Sequence, residues 1–203
     1  MKRILSLVAA TAVSLALAAG AHAQFGFILG LTSSSVRLAE ADAISLYHAG
    51  VTARIPMGSG FALQPSLLYQ VKGANVGHLS TASEEDFKLK TGFVELPISL
   101  QWGPTLAAFR PFVLAEPFVG YRVTSGDKGS ESFQDWAQRA KRQFEYGFGL
   151  GGGLEIAEHV QLSAQWFNNL GPMFSGAAED EGEVELDEVK NFQGIKFSLA
   201  IIF

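Results

Sequence analysis

The residues best equipped for chemistry are few and unevenly placed. The 203-residue chain contains four histidines and no cysteine, which excludes disulfides, thiolate metal sites and a lipid-modified cysteine. Beyond the first two dozen residues the histidines are His48, His78 and His159. His48 and His78 fall near expected outer loops, with Ser80, Ser83, Glu84, Glu85 and Asp86 close by in sequence. A serine or aspartate beside a histidine can activate a nucleophile or a water, but no spacing here fixes such a geometry. Glu179, Asp180, Glu181, Glu183, Glu185, Asp187 and Glu188 form an acidic cluster. It suits a solvated loop better than a calcium site, because it lacks a recognised ligand spacing. Nothing calls for a cofactor.

A more orderly set is Arg54, Lys72, Glu95, Arg110, Glu116, Arg122, Glu145, Glu155 and Lys196. These charges of both signs sit on the polar side of segments whose other side is apolar. The elements that carry them follow from a period of two. Phe144, Tyr146, Phe148, Leu150, Gly152, Leu154 and Ile156 share one face, and Glu145, Gly147, Gly149, Gly151, Gly153 and Glu155 share the other. A helix, repeating every 3.6 residues, would mix the two sets. Near the C-terminus, Ile195, Phe197, Leu199, Ile201 and Phe203 alternate with Gly194, Lys196, Ser198, Ala200 and Ile202. Similar alternation covers Phe61–Lys72, Val94–Trp102 and Val160–Phe167, and noisier forms cover about 24–32, 46–55 and 110–123.

Eight strands of roughly 9–11 residues suit a tilted bilayer crossing, whereas strands of soluble sandwiches average about 5–6. Aromatic residues gather at segment ends (Phe25, Phe61, Trp102, Tyr121, Phe144, Trp166 and Phe203), as interfacial girdles require. The connections alternate in length. Pro56–Gly60, Gly103–Phe109 and Ala157-Glu158 are short, while about 33–45, 73–89, 124–143 and 170–189 are long and polar. Short periplasmic turns opposite long outer loops are the outer-membrane arrangement. The expected fold is therefore all-β: an eight-stranded antiparallel up-and-down transmembrane β-barrel with both ends in the periplasm. Within its third outer loop, Ser130–Gln143 reads as a short helix, with Phe133, Trp136, Ala137 and Ala140 opposite Arg139, Lys141 and Arg142. The competing architecture is a soluble eight-stranded barrel with its apolar face turned inward.

Residues 1–23 read as an export signal, with Lys2 and Arg3 ahead of an apolar run and Ala21-His22-Ala23 as the cleavage pattern. Cleavage would start the mature barrel at Gln24, giving domains 1–23 and 24–203. Loss of Lys2 and Arg3 would shift the formal charge from −5 to −7, which offers no nucleic-acid surface. No later apolar run reaches the ~18–20 residues of a spanning helix, so a crossing requires a closed barrel.

The stretch Phe93-Val94-Glu95-Leu96-Pro97-Ile98-Ser99-Leu100, followed by Arg110-Pro111-Phe112-Val113-Leu114-Ala115, resembles the strand–turn–strand motif of the PorT-like outer-membrane β-barrel family. Glu116 departs from that pattern, which usually has small residues there. The resemblance implies an outer-membrane location, and some members of that family serve a protein secretion machine. The C-terminal alternation through Gly194, Phe197, Leu199, Ile201 and Phe203 resembles the signal read by the barrel assembly machinery. An eight-stranded barrel is only wide enough to be filled by side chains. The nine charges are thus expected to pair within a plug, with a narrow polar path as the sharper alternative. The functional expectation is a non-enzymatic barrel contacting lipid and, through its outer loops, surface components. A secretion accessory is the alternative, and a lipid or peptide hydrolase at the outer rim ranks third.

Overall fold

The structure, a computed structural model, describes residues 23–36, 41–76, 87–125, 143–170 and 192–203. Strict alternation dictates strands, and eight form: β1 Gln24–Val36, β2 Ala41–Gly58, β3 Phe61–Val76, β4 Phe87–Trp102, β5 Phe109–Ser125, β6 Phe144–Ile156, β7 Val160–Asn169 and β8 Phe192–Ile202. Each pairs antiparallel with the next, and β1 pairs with β8 to close the barrel. Closure leaves no open sheet edge, which a wall facing lipid requires. The last residue takes part, since Phe203 and Phe25 exchange both backbone hydrogen bonds, at 2.8 and 3.2 Å.

The outward set is largely apolar and either exposed, as at Phe27, Leu29, Leu31, Val113, Leu150, Phe197 and Ile201, or half-exposed, as at Leu96 and Ile98. Arg54, Lys72, Glu95, Glu155 and Lys196 point the other way and are buried. A soluble barrel would invert these two sets, so that alternative is overturned. Aromatic pairs line both rims: Phe61–Trp102 and Phe27–Phe203 at the end with short turns, Tyr121–Phe144 and Tyr47–Tyr69 towards the other.

The short turns fall where the sequence places them. Ala157 and Glu158 both have positive φ (50° and 64°), and His159 N–H donates to Ile156 O at 3.1 Å. His159 completes a three-residue connection, and the left-handed pair at its start turns the chain tightly between the strands. The expected long loop at 33–45 is corrected. β1 runs to Val36 and β2 starts at Ala41, leaving residues 37–40 as the connection. Its Ser33-Ser34-Ser35 run looks like a loop, but Ser34 is fully buried inside the barrel and exchanges hydrogen bonds with Gly73 O (2.8 Å) and Gly73 N (2.9 Å). A polar interior accepts what an oily core would reject. Residues 73–76 and 87–89 likewise belong to β3 and β4, which shortens the second loop. Residues 1–22, the Ser130–Gln143 helix apart from Gln143, and the acidic cluster lie outside the described residues.

Candidate functional site: the charged lumen

The inward residues stack along the barrel axis in three charged layers. At the end bearing the long connections (the loop end), Lys72 of β3 sits between two carboxylates. Its Nζ lies 2.6 Å from Glu95 Oε1 on β4 and 2.9 Å from Glu145 Oε1 on β6. Asn169 on β7 accepts from the same ammonium at 3.3 Å through Oδ1, and its amide donates to Glu145 Oε2. Three rings enclose the cation, with centroids at 4.4 Å (Phe118), 5.1 Å (Phe167) and 5.5 Å (Phe93). Lys72 is 0 % and Glu95 1 % exposed, so water does not screen this cluster.

Room for it comes from small residues. A Cβ on Gly120 would meet Glu145 Oε1 at 2.7 Å, and one on Gly147 would meet the Phe118 ring at 2.6 Å. The glycine stripe of β6, which reads in sequence only as a small face, is the space into which lumen side chains from other strands extend.

In the middle layer, Lys196 of β8 donates to Glu116 Oε1 of β5 at 2.7 Å, and Gln165 Nε2 of β7 donates to the same oxygen at 2.6 Å. Glu116, the departure from the PorT-like pattern, is thus the counterion of Lys196. At the turn end, Glu155 holds two arginines. Arg54 Nη2 lies 2.9 Å from Oε1, and Arg110 Nη1 lies 3.2 Å from Oε2. Gln161 donates to Glu155 Oε2 at 2.8 Å, Arg54 donates to Gln24 at 2.6 Å, and Arg110 also reaches Gln101 (3.2 Å) and Gly60 O (3.0 Å).

Eight of the nine anticipated lumen charges therefore meet inside the barrel. Arg122 is only half-buried, beside a register shift in the β4–β5 pairing at Gly92/Phe93. Phe167 is buried on the inward face with Gln161, Ser163 and Gln165, as the alternation of β7 places it, whereas sequence reading overlooked the buried rings of Phe93, Phe112 and Phe118. Phe112 and Phe118 share the parity of Arg110 and Glu116 on β5, and that signal would have placed them inside.

His48 requires a correction. It lies in the lumen, 1 % exposed, and not at the outer rim. Its Nδ1 is 3.0 Å from Thr32 Oγ1 and its Nε2 is 3.0 Å from Ser198 Oγ. A serine beside an imidazole suggests a nucleophile and its base. Here the second ring nitrogen faces a hydroxyl, and the space beside Ser198 is about 20 Å³, the size of one water. The trio bridges β1, β2 and β8 across the barrel closure. His159 stands at the β6–β7 turn, with Nδ1 3.0 Å from Ile202 O. His78 and its neighbouring serines and acids lie outside the described residues. Among the described residues, no group of three or more histidines and carboxylates is placed to hold a metal ion.

On β8, Phe197 and Ile201 face outward, as does Phe203 just beyond its end, Leu199 is half-exposed, and Gly194 lies opposite Ser34 of β1. Ala23 and Gln24 lie at the turn-end mouth, and Ala21 lies outside the described residues.

Residues 17–175 match the outer membrane protein beta-barrel domain family. The chain belongs to that family. This outer-membrane β-barrel protein is also similar in structure to Neisserial surface protein A, with a TM-score of 0.51 at 14 % identity, covering 90 % of this chain and 96 % of the other. Ail, the attachment invasion locus protein of Yersinia pestis, aligns with a TM-score of 0.41 at 9 % identity, covering 90 % and 99 %. The N-terminal β-barrel domain of Pseudomonas aeruginosa OprF aligns at 0.37 and 11 %, covering 88 % and 97 %. No curated protein sequence is significantly similar to the chain. The outer-membrane β-barrel protein thus resides in the outer membrane, with its apolar belt in contact with lipid.

Proposed function

We propose that this protein is a non-enzymatic membrane anchor that displays its long connections at the cell surface, where they contact surface components or other cells. The observation that carries this reading is the lumen, in which three layers of ion pairs occupy the axis from Lys72 to Glu155. A barrel filled in this way offers no wide pore along its axis, which favours the connections 77–86, 126–142 and 171–191 as the surface-contacting parts. Single cysteines at Ser83 and Gly182 should label in intact cells with an impermeant reagent, whereas labelling at Gly60 would invert the orientation. Purified protein in planar bilayers should show little steady conductance. Replacing the three connections with short Gly-Ser linkers should abolish the attachment that the intact protein confers on a non-adherent host strain. Unchanged attachment would overturn the display reading.

A secretion accessory is the second reading, favoured by the PorT-like motif. The charged residues of that motif, Glu95 and Arg110, are both buried in the lumen. The motif therefore describes the barrel interior more than a partner surface. Cross-linking in cells followed by recovery of a stoichiometric periplasmic partner would favour this second reading.

A further inference from the structure

The turn-end mouth opens onto a cavity of about 470 Å³. Its lining includes Gln24, Arg54, Thr105, Arg110, Glu155 and Glu158. Arg54 and Arg110 share one carboxylate, so the buried part of this layer carries one more positive than negative charge. The pair's other hydrogen bonds go to neutral amide or backbone oxygens, and the Arg110 guanidinium lies over the Phe112 ring at 5.5 Å. Arg54 Nε is buried without a hydrogen-bond partner. Glu158 adds a negative charge to the lining, but it is exposed on the turn, where water screens it only in part. A buried surplus charge is costly unless it is paired, and a planar guanidinium pairs best with an oxyanion.

We propose that this mouth is a binding site for a small oxyanion, a carboxylate or phosphate group, held against the Arg54–Arg110 pair with Glu158 as a repulsive rim. The volume is that of a small-molecule site, so the anionic group can belong to a larger molecule whose remainder projects outward. In the orientation proposed above the site opens to the periplasm, and only that compartment rests on the functional reading. Cleavage after Ala23 would leave an ammonium at Gln24 on the same lining, adding to its attraction for anions.

The test uses protein extracted in folded form from membranes into a neutral detergent. Inorganic phosphate and acetate are each titrated against chloride at constant ionic strength, and binding is followed by calorimetry and by the unfolding midpoint. Saturable binding and a raised midpoint are expected with at least one of the two anions. A response to phosphate alone assigns a phosphate source, and a response to acetate assigns a carboxylate source. Glu158→Gln, which touches no buried pair, should tighten binding by about three- to tenfold. Thr105→Trp should block it while leaving the folded electrophoretic band intact, and Arg54→Gln should abolish it. Failure of both anions to bind, weaker binding by Glu158→Gln, or undiminished binding by folded Thr105→Trp would each overturn the proposal. None of these outcomes depends on which end faces outward.

Discussion

The two ends of the lumen are built from the same kinds of residue with the charge ratio reversed. At the loop end one cation, Lys72, is held by two carboxylates, and at the turn end one carboxylate, Glu155, holds two cations. Their surroundings differ as well. Lys72 is packed among three phenylalanine rings, whereas the arginine pair borders an open cavity. The same composition can therefore make a dry plug at one end and an anion-attracting mouth at the other. What separates them is access of water, because the strength of an ion pair and the penalty for breaking it both grow as water is excluded.

The largest effect should follow from Lys72→Ala, which strands Glu95 and Glu145 without a cation and empties the ring enclosure. Urea titration in detergent should register a loss of about 3–5 kcal/mol. Glu116→Ala leaves Lys196 without its carboxylate in the middle layer and should cost slightly less, about 3 kcal/mol. Glu155→Gln removes the charge shared by the two arginines. Water in the adjoining cavity can partly replace it, so a smaller loss of about 2 kcal/mol is expected from the same titration. Equal losses for Lys72→Ala and Glu155→Gln would show that the turn end is as dry as the loop end, and the contrast would fail.

The smallest in-vitro effect should come from deleting Phe203 at the turn-end rim. Its ring is 65 % exposed and meets Phe27 edge-on at 5.7 Å. Burial of a large apolar side chain is worth roughly 1.5–3 kcal/mol, and a ring this exposed should contribute at the lower end or below. Refolding in detergent should therefore change little. If the β8 alternation also serves as an assembly signal, the folded, heat-modifiable fraction in outer membranes should fall much further. Equal losses in the two assays would reduce Phe203 to a packing role.

Much of this was readable from the chain because alternation is local. The outward row of Ile195, Phe197, Leu199, Ile201 and Phe203 and the inward row of Glu145 through Glu155 follow from backbone pleating alone. Reading failed where local character and location diverge. The serines at 33–35 looked like loop because they are small and polar, and His48 looked like rim because it is polar beside that stretch. Ser34 and His48 are polar residues that a filled, hydrogen-bonded lumen can accept, and only closure of the barrel creates that environment. Phe112 and Phe118 were missed for the opposite reason, since apolar residues on a polar face contradict the simple pattern.

By itself, the sequence determined the inward row wherever the pairing is regular, because parity along a strand is set by a backbone that turns over once per residue, and it lost that row at the register shift beside Arg122. It could not determine which of them meet. Lys72 and Glu145 are 73 residues apart, and Lys196 and Glu116 are 80 apart on strands that are not neighbours. Their encounter depends on the tilt and stagger with which eight strands close, a property of the whole barrel that no single strand carries. The tertiary structure alone decided that two arginines share one carboxylate at one end and that two carboxylates share one lysine at the other.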